Sequence, residues 1–155
     1  MKLMIKIRPA TILDLEELLS LFVETIRWTC KNYYSADQIN AWTSSLEDVS
    51  SLKRFLEDQY FLLAEVDHRI VGFGSLENNQ HLDFLYVHKD YLRQGIASQI
   101  FNELEKEASG RGNSVMTSYV SKTARPFFEA RDFRIVRKNT VEIKGISISN
   151  YYMTR

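Results

Sequence analysis

Apolar positions along this chain change their period several times, and each change marks an element. Leu3, Ile5 and Ile7 share one face of the Leu3–Arg8 stretch, which predicts a first strand closed by Pro9. Thr11, with Asp14 three residues on, caps a helix whose apolar positions Leu15, Leu18, Leu19, Phe22 and Ile26 follow a helical period. Ser35 caps a second helix carrying Ile39, Trp42 and Leu46, and Leu52 to Asp58 reads as a short third one. Tyr60–Val66 and Ile70–Leu76 form a hairpin around Asp67-His68-Arg69, and His81–Val87 is the next strand. After Gly95 a long amphipathic helix runs to about Ala108, with Ile96, Ile100 and Leu104 at spacings of four, and Arg111-Gly112-Asn113 breaks it. Ser114–Val120 reads as a strand, and Thr123–Ala130 as a short helix with Pro126 in its first turn. Phe133–Ile143 and Ile146–Met153 close the chain as a hairpin turning at Lys144-Gly145. A helix following the third of three meandering strands predicts an α+β architecture whose mostly antiparallel sheet contains a parallel portion.

The stretch from Leu82 to Ser98 is the most suggestive chemically. A strand ends at Val87, His88–Leu92 forms a short loop, and Arg93-Gln94-Gly95 opens the long helix. A helix that starts at a glycine turn offers unpaired backbone N–H groups and about half a positive charge to an anion. With Arg93 at its mouth, the expected ligand is a phosphate or pyrophosphate held mainly by backbone.

Composition narrows the classes. The 155 residues suit one domain spanning 1–155, and 45% hydrophobic content with nine Phe, eight Tyr and two Trp excludes disorder. Acidic and basic residues balance at 20 each, so a nucleic-acid partner has no electrostatic support. The Met1–Ile5 stretch is too short and too soon interrupted by Lys6 and Arg8 for a signal peptide, and no apolar run reaches a membrane span. The single Cys30 fits a reducing cytoplasm, and three dispersed His residues with one Cys offer no metal set. Cys30 reads as a small buried hydrophobe and His68 as a turn residue.

Val87-His88-Lys89-Asp90-Tyr91-Leu92-Arg93-Gln94-Gly95-Ile96-Ala97 closely resembles the acetyl-CoA signature of the GNAT superfamily of N-acetyltransferases, and Phe127–Phe133 resembles that family's later helix-to-strand junction. The element order agrees across essentially the whole chain. The resemblance implies a twisted, mostly antiparallel sheet of about seven strands flanked by helices, with a splayed parallel pair at the cofactor site. It implies direct transfer of an acetyl group from acetyl-CoA to a primary amine of a small molecule or peptide, both held in a ternary complex. It places the pantetheine arm and thioester along Leu85, Tyr86 and Val87. The pyrophosphate falls on the amides of Arg93, Gln94, Gly95, Ile96, Ala97 and Ser98, and Ser121 stands where many members have an Asn on the cofactor.

Three positions depart from the family pattern. Leu92 stands where Gln or Arg is usual, Asp132 where Gly is usual, and Phe128 where many members carry the Tyr that protonates the leaving thiolate. Tyr119, Tyr151 and Tyr152 are the alternative acids, Tyr152 being the one carried forward. An ammonium must lose its proton before attacking, and Asp83 and His81 are the candidate bases. Simple alternation puts both on the face of Leu85 and Val87; the alternative for Asp83 is that it holds a loop N–H or an Arg. Trp28, Tyr34 and Trp42 either bind the acceptor or pack the first two helices together. The competing functions are a non-catalytic acyl-CoA-binding or regulatory module, motivated by Phe128, and a nucleotide-phosphate protein, which lacks both glycine-rich nucleotide fingerprints. Monomer and homodimer are both open, since the closing hairpin can pair within or between chains.

Overall fold

A computed structural model describes residues 3–46 and 49–155; Met1 and Lys2, which lead the N-terminal stretch considered above, lie outside the described residues. The strands are β1 (Lys6–Pro9), β2 (Tyr60–Val66), β3 (Arg69–Glu77), β4 (His81–Val87), β5 (Thr117–Val120), β6 (Arg134–Ile143) and β7 (Ile146–Thr154). They form one sheet in the order β1-β2-β3-β4-β5-β7-β6, antiparallel except where β4 runs beside β5. The helices are α1 (Leu15–Thr29), α2 (Ala36–Thr43), α3 (Val49–Asp58), α4 (Ile96–Gly110) and α5 (Arg125–Glu129). This is the expected α+β fold, with β7 inserted between β5 and β6 so that the closing hairpin completes the sheet within the chain.

The caps behave as read. Thr11 and Asp14 form a capping box that opens a 3-10 turn leading into α1, and Ser35 with Gln38 forms another at α2. Asp14 also pairs with Arg8 at 2.9 Å, while Arg8 bonds Glu65 on β2, so one guanidinium ties β1 to its neighbour and to the helix start. That guanidinium holds the Asp14 carboxyl below its usual range. The hairpin turns are two-residue left-handed turns, Asp67-His68 and Lys144-Gly145, all four residues having positive φ. Asp132 has φ of 68° and takes the turn position that glycine would fill. The second helix ends earlier than its pattern suggests, at Thr43, and Ser44–Leu46 is a 3-10 turn. The first strand begins later, at Lys6.

Each face of the sheet has its own core. Phe22, Leu52, Phe61, Phe73 and Phe84 pack beneath α1–α3, and Val71, Leu82, Ile96, Phe101 and Leu104 pack beneath α4 and α5. Helix α4 lies hard on β3 because Gly72 and Gly74 present no side chain. A Cβ at Gly74 would stand 2.7 Å from Ile100 Cγ2 and 3.1 Å from Leu104 Cδ1. The position of α4 along the sheet is thereby registered against β3.

Gly74→Val is expected to lower the unfolding free energy by about 1–3 kcal/mol through overpacking. Urea denaturation checks this, with an unchanged slope showing that the native state remains compact.

Candidate active site

β4 and β5 touch at one end only. Their register is the single pair His81↔Thr117, the Thr117 N–H donates to Gln80 O at 3.2 Å, and the Ser118 hydroxyl donates to Leu82 O at 2.7 Å. Past Leu82 the two strands separate and the facing edge of β4 has no ladder partner. On its other edge β4 pairs with β3 as Gly72↔Val87, Gly74↔Leu85 and Leu76↔Leu82. Two steps on β3 therefore face three on β4, which is a β-bulge.

The bulge corrects the alternation inferred above. Leu82 and Phe84, two residues apart, lie in opposite cores, while Leu85 and Val87 face the α4 side. Asp83 turns to the α3 side, where its Oδ2 accepts from Gln59 Nε2 at 2.8 Å. Gln59 Oε1 in turn accepts from the Ser75 hydroxyl at 2.6 Å, and that fully buried hydroxyl accepts from the Phe84 N–H at 3.3 Å. Asp83 and Leu85 therefore point to opposite faces. His81 stays at the closed end, half-buried, with Nδ1 2.8 Å from Thr117 Oγ1 and its ring 5.4 Å from that of Tyr119.

Where the strands part, a cavity of about 310 Å³ passes through the sheet. Leu82, Leu85, Val120 and Phe128 line it from the α4–α5 side, and Tyr34, Trp42, Phe55, Phe84 and Tyr86 from the α1–α3 side. Asp83 and Ser121 also reach its wall. Ser121 Oγ accepts from the Ala124 N–H at 3.0 Å and so shapes the entry into α5. Phe128 is 3% exposed, its ring edge-on to Phe133 at 5.0 Å, so its position is fixed by packing. The Tyr34 hydroxyl donates to Ser149 O at 2.8 Å and accepts from the Lys122 N–H at 3.0 Å, tying the segment after α1 to the β5–β7 flank of the gap. Burial raises the pKa of the Tyr34 phenol and raises that of Tyr86 further, so both stay protonated; the Trp42 indole N–H lies beside the Tyr86 hydroxyl. Burial likewise pushes the Cys30 thiol up, and that side chain is 3% exposed beside Thr29 and Thr123.

Two sequence-selected aromatics stand elsewhere. Trp28 is half exposed beneath Lys31 and Lys89, whose ammonium groups lie 3.9 and 4.7 Å from its ring, and it does not line the cavity. Tyr152 stacks 5.0 Å from Tyr119 under the Arg137 guanidinium, also outside the lining.

The loop after β4 is built for backbone presentation. His88 is buried, donating its N–H to Val71 O and accepting the Asp90 N–H on Nδ1 at 3.0 Å. Leu92 is extended, and Arg93 and Gly95 both adopt left-handed backbone, φ 61° and 83°. Gly95 is the N-cap of α4 and supplies no side-chain cap, so the first-turn amides from Ile96 to Ser98 have no partner from that position. A Cβ on Gly95 would meet nothing within 4 Å, which leaves open space over these donors. Such a cradle fits a pyrophosphate, and the unpaired β4 edge fits an amide-bearing arm. Arg131 adds a cation that sequence reasoning missed: its guanidinium bonds Ser98 Oγ and lies 3.6 Å over the Phe127 ring. Gln59 and Ser75 were equally illegible, since only the bulge brings them to Asp83.

A family model described as "Acetyltransferase (GNAT) domain" matches residues 30–155. The chain is 33% identical over 140 residues to the Escherichia coli K12 protein "Uncharacterized N-acetyltransferase YafP", covering 90% of this chain and 88% of that one. It is 27% identical over 162 residues to the "Spermidine N(1)-acetyltransferase" of Thermoplasma acidophilum, covering 97% and 96%. The crystal structure of a GCN5-related N-acetyltransferase from Rhodopseudomonas palustris superposes with a TM-score of 0.95 at 33% identity, covering 100% of this chain and 98% of that one. Among the described residues, no helix is long and apolar enough to cross a membrane.

Tyr34→Phe is expected to destabilise the fold by about 1–3 kcal/mol, because it removes the bond to Ser149 O and strands the Lys122 N–H. Denaturant unfolding of the variant, with native far-UV circular dichroism, measures it.

Proposed function

The chain belongs to the acetyltransferase (GNAT) family, and from that premise we propose that it moves the acetyl group of acetyl-CoA directly onto a primary amine bound in the same cavity. The observation that carries this reading is the gap between β4 and β5, because it is open to both faces of the sheet. Cofactor can enter along the unpaired β4 edge from the α4 side while the amine arrives beneath α1–α3. No covalent enzyme intermediate is needed when the reactants meet in one space.

Each part of the machinery then has a task. The amides of Ile96, Ala97 and Ser98, with Arg93, Gln94 and Gly95 shaping the turn, hold the pyrophosphate. Arg131 adds positive charge beside Ser98. Leu85, Tyr86 and Val87 offer backbone to the pantetheine amides. Bound acetyl-CoA supplies a thioester carbon for the amine nitrogen to attack, the carbon–sulfur bond breaking as the carbon–nitrogen bond forms. Asp83, oriented by Gln59 and Ser75, takes the proton from the ammonium. A proton must reach the departing sulfur, and Phe128 has none to give. Tyr34 has committed its proton to Ser149 O, whereas Tyr86 lines the cavity with its hydroxyl beside the Trp42 donor and is the phenol placed to give one. Tyr86 thus takes the role assigned above to Tyr152, because it lines the cavity and Tyr152 does not.

The relatives support an amine acceptor, one of them being a spermidine acetyltransferase by name. The competing reading, a module that binds acyl-CoA without turning it over, draws only on Phe128.

Calorimetric titration with acetyl-CoA and thiol-release assays on an amine panel test the proposal. Gly95→Glu should weaken acetyl-CoA binding at least about a hundredfold, because its carboxylate enters the open space over the donors. Gly95→Asn, which tolerates left-handed backbone, should bind nearly normally. Asp83→Asn should lower kcat by about 10²–10⁴-fold with acetyl-CoA affinity retained. Binding that survives Gly95→Glu misplaces the cofactor, turnover that survives Asp83→Asn misplaces the base, and tight binding without turnover on any amine favours the non-catalytic module.

A further inference from the structure

The acceptor side of the cavity is specific about what it can hold. Among the described residues that line the cavity, Asp83 alone carries a charge, and its carboxylate is fixed by Gln59 and Ser75. One ammonium can be neutralised there. The remaining wall is aromatic: Tyr34 and Trp42 meet edge-on at 5.4 Å, Phe55 and Phe84 at 5.2 Å, and Tyr86 stands beside them. Val141, Ile143 and Ile148 of the closing hairpin face these rings with aliphatic surface.

Four of the six hydroxyls that line the cavity are already engaged, which leaves those of Tyr86 and Tyr119. Tyr34 is bonded to Ser149 O and the Lys122 N–H, Ser45 donates to Trp42 O, Ser118 donates to Leu82 O, and Ser121 accepts from Ala124. The Asn150 side-chain oxygen accepts from Asn139 Nδ2 at 2.9 Å. A polyhydroxylated amine would find few partners for its oxygens, and burying them unbonded is unfavourable. A polyamine fares worse, because among the described lining residues its second and third ammonium groups find no further carboxylate. The Lys122 ammonium, 5.2 Å over the Tyr34 ring, adds repulsion. An ammonium attached to a flat apolar body satisfies every wall at once, with the charge against Asp83 and ring faces and the body between the rings and the hairpin. The volume of about 310 Å³, shared with the acetyl end of the cofactor, keeps that body small.

We infer that the acceptor is a small monocationic arylalkyl primary amine, bound with its ammonium on Asp83 and its ring between Trp42, Phe55 and the Val141–Ile148 wall; this rests on the acetyl-transfer reading above. Phenyl-bearing amines are therefore the preferred class over polyamines, aminosugars and peptide N-termini.

Thiol release from acetyl-CoA, measured with 2-phenylethylamine, spermidine, kanamycin and the dipeptide Gly-Gly, tests the inference. The expected result is a kcat/KM for 2-phenylethylamine at least tenfold above each of the others. Val141→Asp, on a half-exposed edge-strand position, places a second carboxylate in the same cavity lining as Asp83 and should raise the spermidine to 2-phenylethylamine ratio at least tenfold. Separately, calorimetry should detect 2-phenylethylamine binding to the CoA-saturated protein and at least tenfold weaker binding to Asp83→Asn. A higher kcat/KM for spermidine, kanamycin or the dipeptide overturns the inference and leaves acetyl transfer standing. No binding of 2-phenylethylamine to the CoA-saturated protein also overturns it. Failure of acetyl-CoA itself to bind sinks the underlying reading instead, so the two failures are told apart.

Discussion

β4 takes three steps, Leu82 to Leu85, where β3 takes two, Gly74 to Leu76, and the rest of the site follows from that extra residue. A bulge bends its strand and raises the local twist. Here it coincides with the end of the β4–β5 ladder, held closed at His81–Thr117 by backbone and by the Ser118 hydroxyl on Leu82 O. Beyond that clasp the sheet opens into a cavity. The same bulge sends Asp83 to one face and Leu85 to the other. A regular strand would leave the carboxylate on the cofactor side with Gln59 out of reach.

The opening is costly in backbone pairing, and the structure holds it apart from several directions. Tyr34 reaches from the segment after α1 to both Lys122 and Ser149, bracing the β5–β7 flank. Phe128 and Phe133 interlock edge-to-face with Phe101 and seat α5 on the α4 side. Gly72 and Gly74 let α4 settle onto β3, so that the uncapped amides at Ile96–Ser98 sit at a set distance along the sheet from Leu85. The proposed phosphate cradle and the proposed reactive centre are thus two ends of one rigid arrangement. Phe128 illustrates the same economy, since the ring at the position of a missing acid is a packing residue of α5.

Local chemistry is what the linear chain displays best. Thr11 with Asp14, Ser35 with Gln38, Asp67-His68 and Lys144-Gly145 are short-range devices, and each forms the cap or turn that its residues predict. The Arg93-Gln94-Gly95 turn is of the same kind, because a positive φ and an uncapped helix start are properties of a few consecutive residues. Element ends drifted where tertiary pairing overrode pattern, as at Lys6 and Thr43. Trp28 shows the limit of composition: its side chain lies under two lysines and misses the cavity that Trp42 lines.

The sequence by itself determined the element order, the α+β class, the family and the glycine turn that opens α4, since periodicity and short motifs encode them within windows of ten or so residues. Only the tertiary structure decided which face Asp83 takes, that Gln59 and Ser75 orient it, that Arg131 joins Ser98, and that the cavity's described lining is largely aromatic with one charge. Those facts depend on a bulge and on contacts between residues far apart in the chain. A one-residue slip in pairing inverts every side chain beyond it, and the period of a strand carries no mark of where the slip occurs.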